Sequence, residues 1–87
     1  MEIIYSEEAQ EHIRKWKKSG DKKVMNRISA LLSSIEQDPF TGIGKPESLK
    51  FNLSGYWSRR ISKEHRLVYK VVDRNTVEVI SLMFHYD

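Results

Sequence analysis

The sequence predicts an α+β domain in which an N-terminal strand and two helices pack on a largely antiparallel, twisted sheet. Apolar residues at helical spacing are confined to positions 9–35, β-rich runs fill positions 49–86, and no helical pattern interrupts those runs. Strands that follow one another without intervening helices pair as antiparallel neighbours, so the helices collect on one side of the sheet. The 87 residues form a single domain, 1–87. A chain of this length buries only roughly 60–65% of its unfolded surface, so the core is small.

Each element has a local reason. Glu2–Tyr5 reads as a short strand, and Ser6 caps a first helix whose opening turn holds Glu7 and Glu8, where the helix dipole favours acids. Ala9, Ile13 and Trp16 give that helix its apolar stripe, its last turn is basic, and Ser19-Gly20 ends it. Asp21 caps a second helix with Val24, Met25, Ile28, Leu31, Leu32 and Ile35 on one face, and Asp38-Pro39 stops it. Two glycines and a proline make a loop of residues 41–47. Strands are expected from the alternation of Leu49, Phe51 and Leu53, then of Trp57, Arg59 and Ile61, then over 66–72 and 77–86, with a turn at residues 73–76.

Positive charge is concentrated along the chain. Residues 45–70 hold Lys45, Lys50, Arg59, Arg60, Lys63, Arg66 and Lys70 against Glu47 and Glu64, whereas residues 1–44 balance seven bases with seven acids. The formal charge of +3 is therefore a local surplus, the pattern of a polyanion-binding face. Cysteine is absent, which removes disulfides, thiol nucleophiles and the common zinc frameworks. No stretch approaches membrane-spanning length and residues 1–5 lack the basic lead of a signal peptide, so a cytoplasmic location with no membrane partner is expected.

RNA is cut by side chains alone when a base takes the 2′-hydroxyl proton, an acid protonates the leaving 5′-oxygen and cations hold the charge that builds on phosphorus. Glu47, in a Gly/Pro-shaped loop, is a candidate base, and His85, near neutrality and flanked by Phe84 and Tyr86, a candidate acid. Arg60 and Arg66 fall on adjacent expected strands, where two guanidinium forks reach one phosphate. Each of these residues also has an ordinary reading. A loop glutamate is usually just solvated, strand arginines usually guard an edge, and His85 equally suits a histidine satisfied by backbone. Tyr56 and Trp57 read as packing residues before base-stacking platforms. His12 lies off the apolar stripe and is expected in solvent, while His65 either touches RNA or caps a turn. The three histidines have no metal-ligand spacing, so neither a metal nor a cofactor is expected.

Joined together, the motifs are more specific than their parts. Asp38-Pro39-Phe40, Gly42, Gly44-Lys45-Pro46-Glu47, Leu49-Lys50, Asn52-Leu53-Ser54-Gly55, Trp57-Ser58-Arg59-Arg60-Ile61, Glu64-His65-Arg66-Leu67-Val68-Tyr69 and His85-Tyr86 resemble the YoeB/Txe toxins of the RelE-like superfamily over almost the whole chain. The resemblance implies the RelE-like microbial RNase fold and the toxin half of a type II toxin-antitoxin system. It further implies a ribosome-dependent endoribonuclease that cuts mRNA in the ribosomal A site and is restrained by a cognate antitoxin; a homodimer is compatible with it. Carried over by position, it gives Glu47 as general base, His85 as general acid and Arg66 as the arginine on the scissile phosphate. Lys50 and Arg60 match basic residues of the active-site surface and Tyr86 the tyrosine beside the acid, and Lys45 and Arg59 of the basic run are counted with them as candidate RNA-binding residues.

Two departures stand out. Phe51 occupies a position where members often carry histidine, and Asp87 follows the His-Tyr pair, adding negative charge near His85 that is expected to raise its proton affinity. Two other functions remain open on sequence grounds. A non-catalytic inhibitor of the gyrase-poison type would not need Glu47, His85 and Arg66 together, and a basic nucleic-acid-binding module would need only the surface of residues 45–70.

Overall fold

Ser6 starts the first helix and ties it to the sheet with one hydroxyl. Its Oγ accepts from the Ala9 N–H at 3.0 Å, capping the helix, and donates to the Ile80 carbonyl at 2.7 Å. This computed structural model describes residues 1–84, apart from the side chain of Phe51. The expectations for that side chain and for His85, Tyr86 and Asp87 lie outside the described residues.

Strand β1 (Glu2–Tyr5) leads into α1 (Glu7–Ser19), which Gly20 ends in the left-handed conformation at φ +72°. Asp21 caps α2 (Lys22–Gln37) by accepting from the Val24 N–H at 3.0 Å. Four strands follow: β2 (Glu47–Ser48), β3 (Tyr56–Arg60), β4 (Arg66–Asp73) and β5 (Thr76–Ser81). They form one sheet in the order β1-β5-β4-β3-β2, antiparallel throughout except where β1 runs parallel to β5. That parallel pair arises because two helices, not a hairpin turn, follow β1 and bring the chain back across the sheet before the meander begins.

Both helices lie on one side. Ala9, Ile28, Leu31 and Ile35 from the helices meet Leu67, Tyr69, Val77 and Val79 from the central strands, all buried, with Ile3, Tyr5, Trp57 and Val71 packed around them. Residues directly opposite in a ladder share a face. The Tyr69↔Val79 and Trp57↔Tyr69 pairs thus assign the helix side, and the Glu47↔Ser58, Ser58↔Val68 and Arg60↔Arg66 pairs assign the other.

Two sequence expectations need correction. The alternation of Leu49, Phe51 and Leu53 does not make a strand. Pairing ends with the Leu49 N–H to the Tyr56 carbonyl at 2.8 Å, and residues Phe51–Leu53 form a short 3₁₀ turn, because Asn52, Ser54 and Gly55 favour turning over extension. The last strand also stops early, at Ser81. Beyond it, residues 82–84 leave the ladder, and Phe84 adopts a left-handed φ of +67°.

Candidate nucleic-acid interface

Glu47 sits on β2, the exposed edge strand, not in a loop as its glycine and proline neighbours suggest. It pairs with Ser58 of β3, on the face the helices leave open. Two residues further along β3, on the same face, Arg60 pairs directly with Arg66 of β4. The structure therefore places Glu47, Arg60 and Arg66 on one open surface. Lys45 and Lys50 flank Glu47 on the chain and both are exposed, Lys45 in a left-handed conformation at φ +51°.

The Arg66 guanidinium is steadied by backbone. Nη1 donates to the Ser62 carbonyl at 3.0 Å and the His65 carbonyl at 3.4 Å. Carbonyls orient the fork without neutralising it, so its charge stays available to an anion. Arg27, from α2, donates to the Arg60 carbonyl through Nε at 3.3 Å and Nη2 at 3.2 Å. Together with Lys23, Asn26 and Lys63, these arginines line an open groove of about 850 Å³ in which every charged side chain among the described residues is a cation. Lys23 and Arg27 are residues the sequence reading missed. The signal was available: they lie four apart on the polar side of α2, and i, i+4 neighbours share a helix face.

Arg59 corrects the sequence expectation that it belongs to the RNA-binding surface. It is completely buried on the helix side, and all five of its N–H donors are used. Nε donates to the Tyr69 hydroxyl at 3.0 Å, Nη1 to Ser34 Oγ at 2.8 Å and the Ile43 carbonyl at 3.1 Å, and Nη2 to the carbonyls of Asp38 at 2.9 Å and Thr41 at 2.8 Å. Tyr69 in turn donates to the Pro39 carbonyl at 2.6 Å. Burial raises the Tyr69 phenol above its ordinary pKa, against the opposing pull of Arg59, and keeps it a donor. Asp38 is held low, chiefly by the Phe40 N–H.

These bonds gather the carbonyls of the 38–43 loop onto one side chain, and that loop delivers Lys45 and Glu47. Gly44 lets it approach closely: at φ +83°, an added Cβ would lie 2.5 Å from Leu31 Cδ2 and 3.2 Å from Arg59 Cβ. The Gly44 carbonyl then accepts from the Arg60 N–H at 2.7 Å, joining the loop to the arginine ladder.

The aromatic residues divide. Trp57 packs on the helix side, its ring 5.2 Å from Phe40, while Tyr56 faces the open side with Lys70 Nζ 5.5 Å from its ring centroid. His12 is a second correction. It is buried, and its Nδ1 accepts from the Leu82 N–H at 3.0 Å.

A small α+β domain, helices on one sheet face and, on the other, a glutamate beside cations that have no ion-pair partner among the described residues, is the class that this fold and surface define. Residues 5–86 match the family model described as the YoeB-like toxin of bacterial type II toxin-antitoxin systems. The chain belongs to that family.

Among curated relatives, Toxin YoeB of Synechocystis sp. is 59% identical over 71 residues, spanning 82% of this chain and 81% of the relative. The solved structure of a YoeB/ParE toxin from Agrobacterium tumefaciens superposes with a TM-score of 0.93 at 38% identity, covering 99% of this chain and all of that one. A YoeB–YefM complex from Staphylococcus aureus superposes with a TM-score of 0.83 at 46% identity, covering 99% of this chain and 98% of that one.

Proposed function

We propose that this toxin is a ribosome-dependent mRNA endoribonuclease that cuts in the ribosomal A site in the cytoplasm and so arrests translation. The observation that carries the reading is the shared face of Glu47, Arg60 and Arg66, since a base and two unneutralised guanidinium groups are what 2′-hydroxyl attack on a phosphodiester needs from the protein. Glu47 takes the proton of the 2′-hydroxyl as its oxygen bonds to phosphorus. The P–O5′ bond breaks, and His85 protonates the departing 5′-oxygen.

The products are a 5′-hydroxyl end and a 2′,3′-cyclic phosphate, which water opens to a 3′-phosphate. Arg66 holds the negative charge that builds on the phosphoryl oxygens, and Arg60, Lys45, Lys50 and Tyr86 bind the flanking RNA. The chain supplies every proton donor and acceptor in the scheme. A cognate antitoxin, acidic and partly disordered until bound, covers the basic face; such a segment folds against the surface it neutralises.

Primer-extension mapping of a translated message after induction tests the reading. Cuts that follow the codons of the reading frame and vanish when translation is blocked are expected. Intact message during growth arrest overturns it.

A further inference from the structure

Three residues past the last strand, 82–84, are held from both sides by elements far away in sequence. The Leu82 N–H donates to His12 Nδ1 at 3.0 Å, and the Leu82 carbonyl accepts from Trp16 Nε1 at 2.9 Å, both from α1. The Phe84 N–H donates to His65 Nδ1 at 2.9 Å, and the Phe84 carbonyl accepts from the Arg66 N–H at 3.0 Å. Each backbone polar group of Leu82 and Phe84 thus has one partner. The rings also interlock: Trp16 and His65 meet edge to face at 5.0 Å, and Phe84 lies 5.9 Å from His65 and 6.3 Å from His12.

Both imidazoles accept at the same ring position. An Nδ1 that accepts carries no proton, so each neutral ring holds its proton on Nε2. A second proton would set N–H against N–H and open the bond. The next residue along the chain from this clamp is His85, and Phe84 is bonded directly to Arg66.

We infer that His12 and His65 are positioning residues, which as neutral acceptors clamp residues 82–84 against α1 and Arg66, at the point from which the chain continues to His85. The consequence for cleavage rests on the proposed role of His85; the clamp itself does not. Acidification opens its His12 end. The groups facing His12 are Glu8, Glu11 and Lys15 on its own helix and His65 from the connection before β4, with Glu8 Oε2 4.0 Å from His12 Nε2. Burial outweighs the acids and keeps the His12 ring neutral to lower pH than a solvated histidine.

The test uses the full chain. His65 is half-buried in the connection before β4, so His65→Ala spares the core, and His65→Asn restores an acceptor near the Nδ1 position. Nitrogen NMR of the wild type is expected to show both rings protonated at Nε2 only, and His65→Ala to speed exchange of the Phe84 amide, which His65→Asn restores. In single-turnover cleavage on programmed ribosomes, His65→Ala is expected to lose about 10- to 100-fold in rate at saturation with half-saturation unchanged, as for a misplaced catalytic group. His65→Asn recovers most of that rate.

His12→Ala is expected to speed exchange of the Leu82 amide, and His12→Asn to restore its protection and hold it to lower pH than the wild type does. Equal rates for His65→Ala and wild type, or Nδ1-protonated rings, would overturn the inference. A wild type that leaves message intact overturns the proposed nuclease instead, and ring protonation and amide exchange then decide the clamp alone.

Discussion

Arg60 of β3 and Arg66 of β4 stand directly opposite each other in the antiparallel ladder, on the face the helices leave open. Like charges in that register weaken a strand pair, and neither arginine has an ion-pair partner among the described residues. Such a pair breaks a local rule of the sheet, a departure that folded chains concentrate at functional surfaces. Replacing Arg60 with glutamine is therefore expected to stabilise the folded state by about 0.2–1 kcal/mol at low salt. The gain disappears as salt screens the pair. Urea unfolding of both proteins at low and high ionic strength measures it, and a destabilised variant would contradict the repulsion.

Arg59 and Arg60 are neighbours in sequence on opposite faces of β3, and substitution separates them. Arg59→Met strands the carbonyls of Asp38, Thr41 and Ile43 and is expected to cost about 2–5 kcal/mol in unfolding free energy. Arg59→Lys recovers little, because a point charge cannot span five acceptors. Whatever Arg59→Lys protein folds is expected to keep the wild-type salt dependence of ribosome binding. A changed slope would return Arg59 to the RNA-facing surface.

Lysines and arginines that meet phosphates release counterions on binding. Lys50→Ala, Lys63→Ala and Lys23→Ala are each expected to flatten the dependence of log affinity on log salt by up to about one unit for each phosphate left unneutralised. Filter binding of programmed ribosomes across a salt series gives the slopes. Unchanged slopes for Lys23→Ala and Lys63→Ala would exclude the groove between α2 and the arginine ladder as the RNA-facing surface, and an unchanged slope for Lys50→Ala would exclude the surface beside Glu47.

The caps at Ser6 and Asp21 and the turn at residues 73–76 are legible in the sequence because their chemistry is complete within four residues. The meeting of Arg60 and Arg66 is legible for a related reason, since consecutive strands joined by a short bend pair end to end. Burial of polar groups is harder to read. Strand parity puts Arg59 with Trp57 and Ile61 on the helix side, yet nothing local to it supplies the acceptors, four of which lie 16 to 25 residues upstream and the fifth, the Tyr69 hydroxyl, ten residues downstream. His12 bonds a backbone group 70 residues away, so its helix alone assigns it to solvent. The 3₁₀ turn at Phe51–Leu53 shows turn chemistry overruling a three-residue apolar alternation too short to hold a strand.

The buried His12 also sets a pH dependence. Burial lowers its folded pKa below the unfolded value of about 6.5, so the unfolded chain binds the proton more readily. Its contribution to stability is complete above that pH and is lost as pH falls through the depressed folded value. Thermal melts between pH 7 and 4.5 are expected to show a decline that His12→Asn makes shallower. A variant whose melting temperature falls as steeply as the wild type's would contradict it.

Single-turnover cleavage on programmed ribosomes with saturating toxin separates chemistry from affinity and bears most directly on the acid and base. Glu47→Gln keeps shape and loses basicity, His85→Gln keeps a hydrogen bond and cannot cycle a proton, and Arg66→Ala removes charge from the transition state. Glu47→Gln and His85→Gln are each expected to slow the step by about 10²- to 10⁴-fold with ribosome binding little changed. If both cut at the wild-type rate, Glu47 and His85 are not the acid and base, and catalysis rests on the arginines and on the ribosome's own placement of the message.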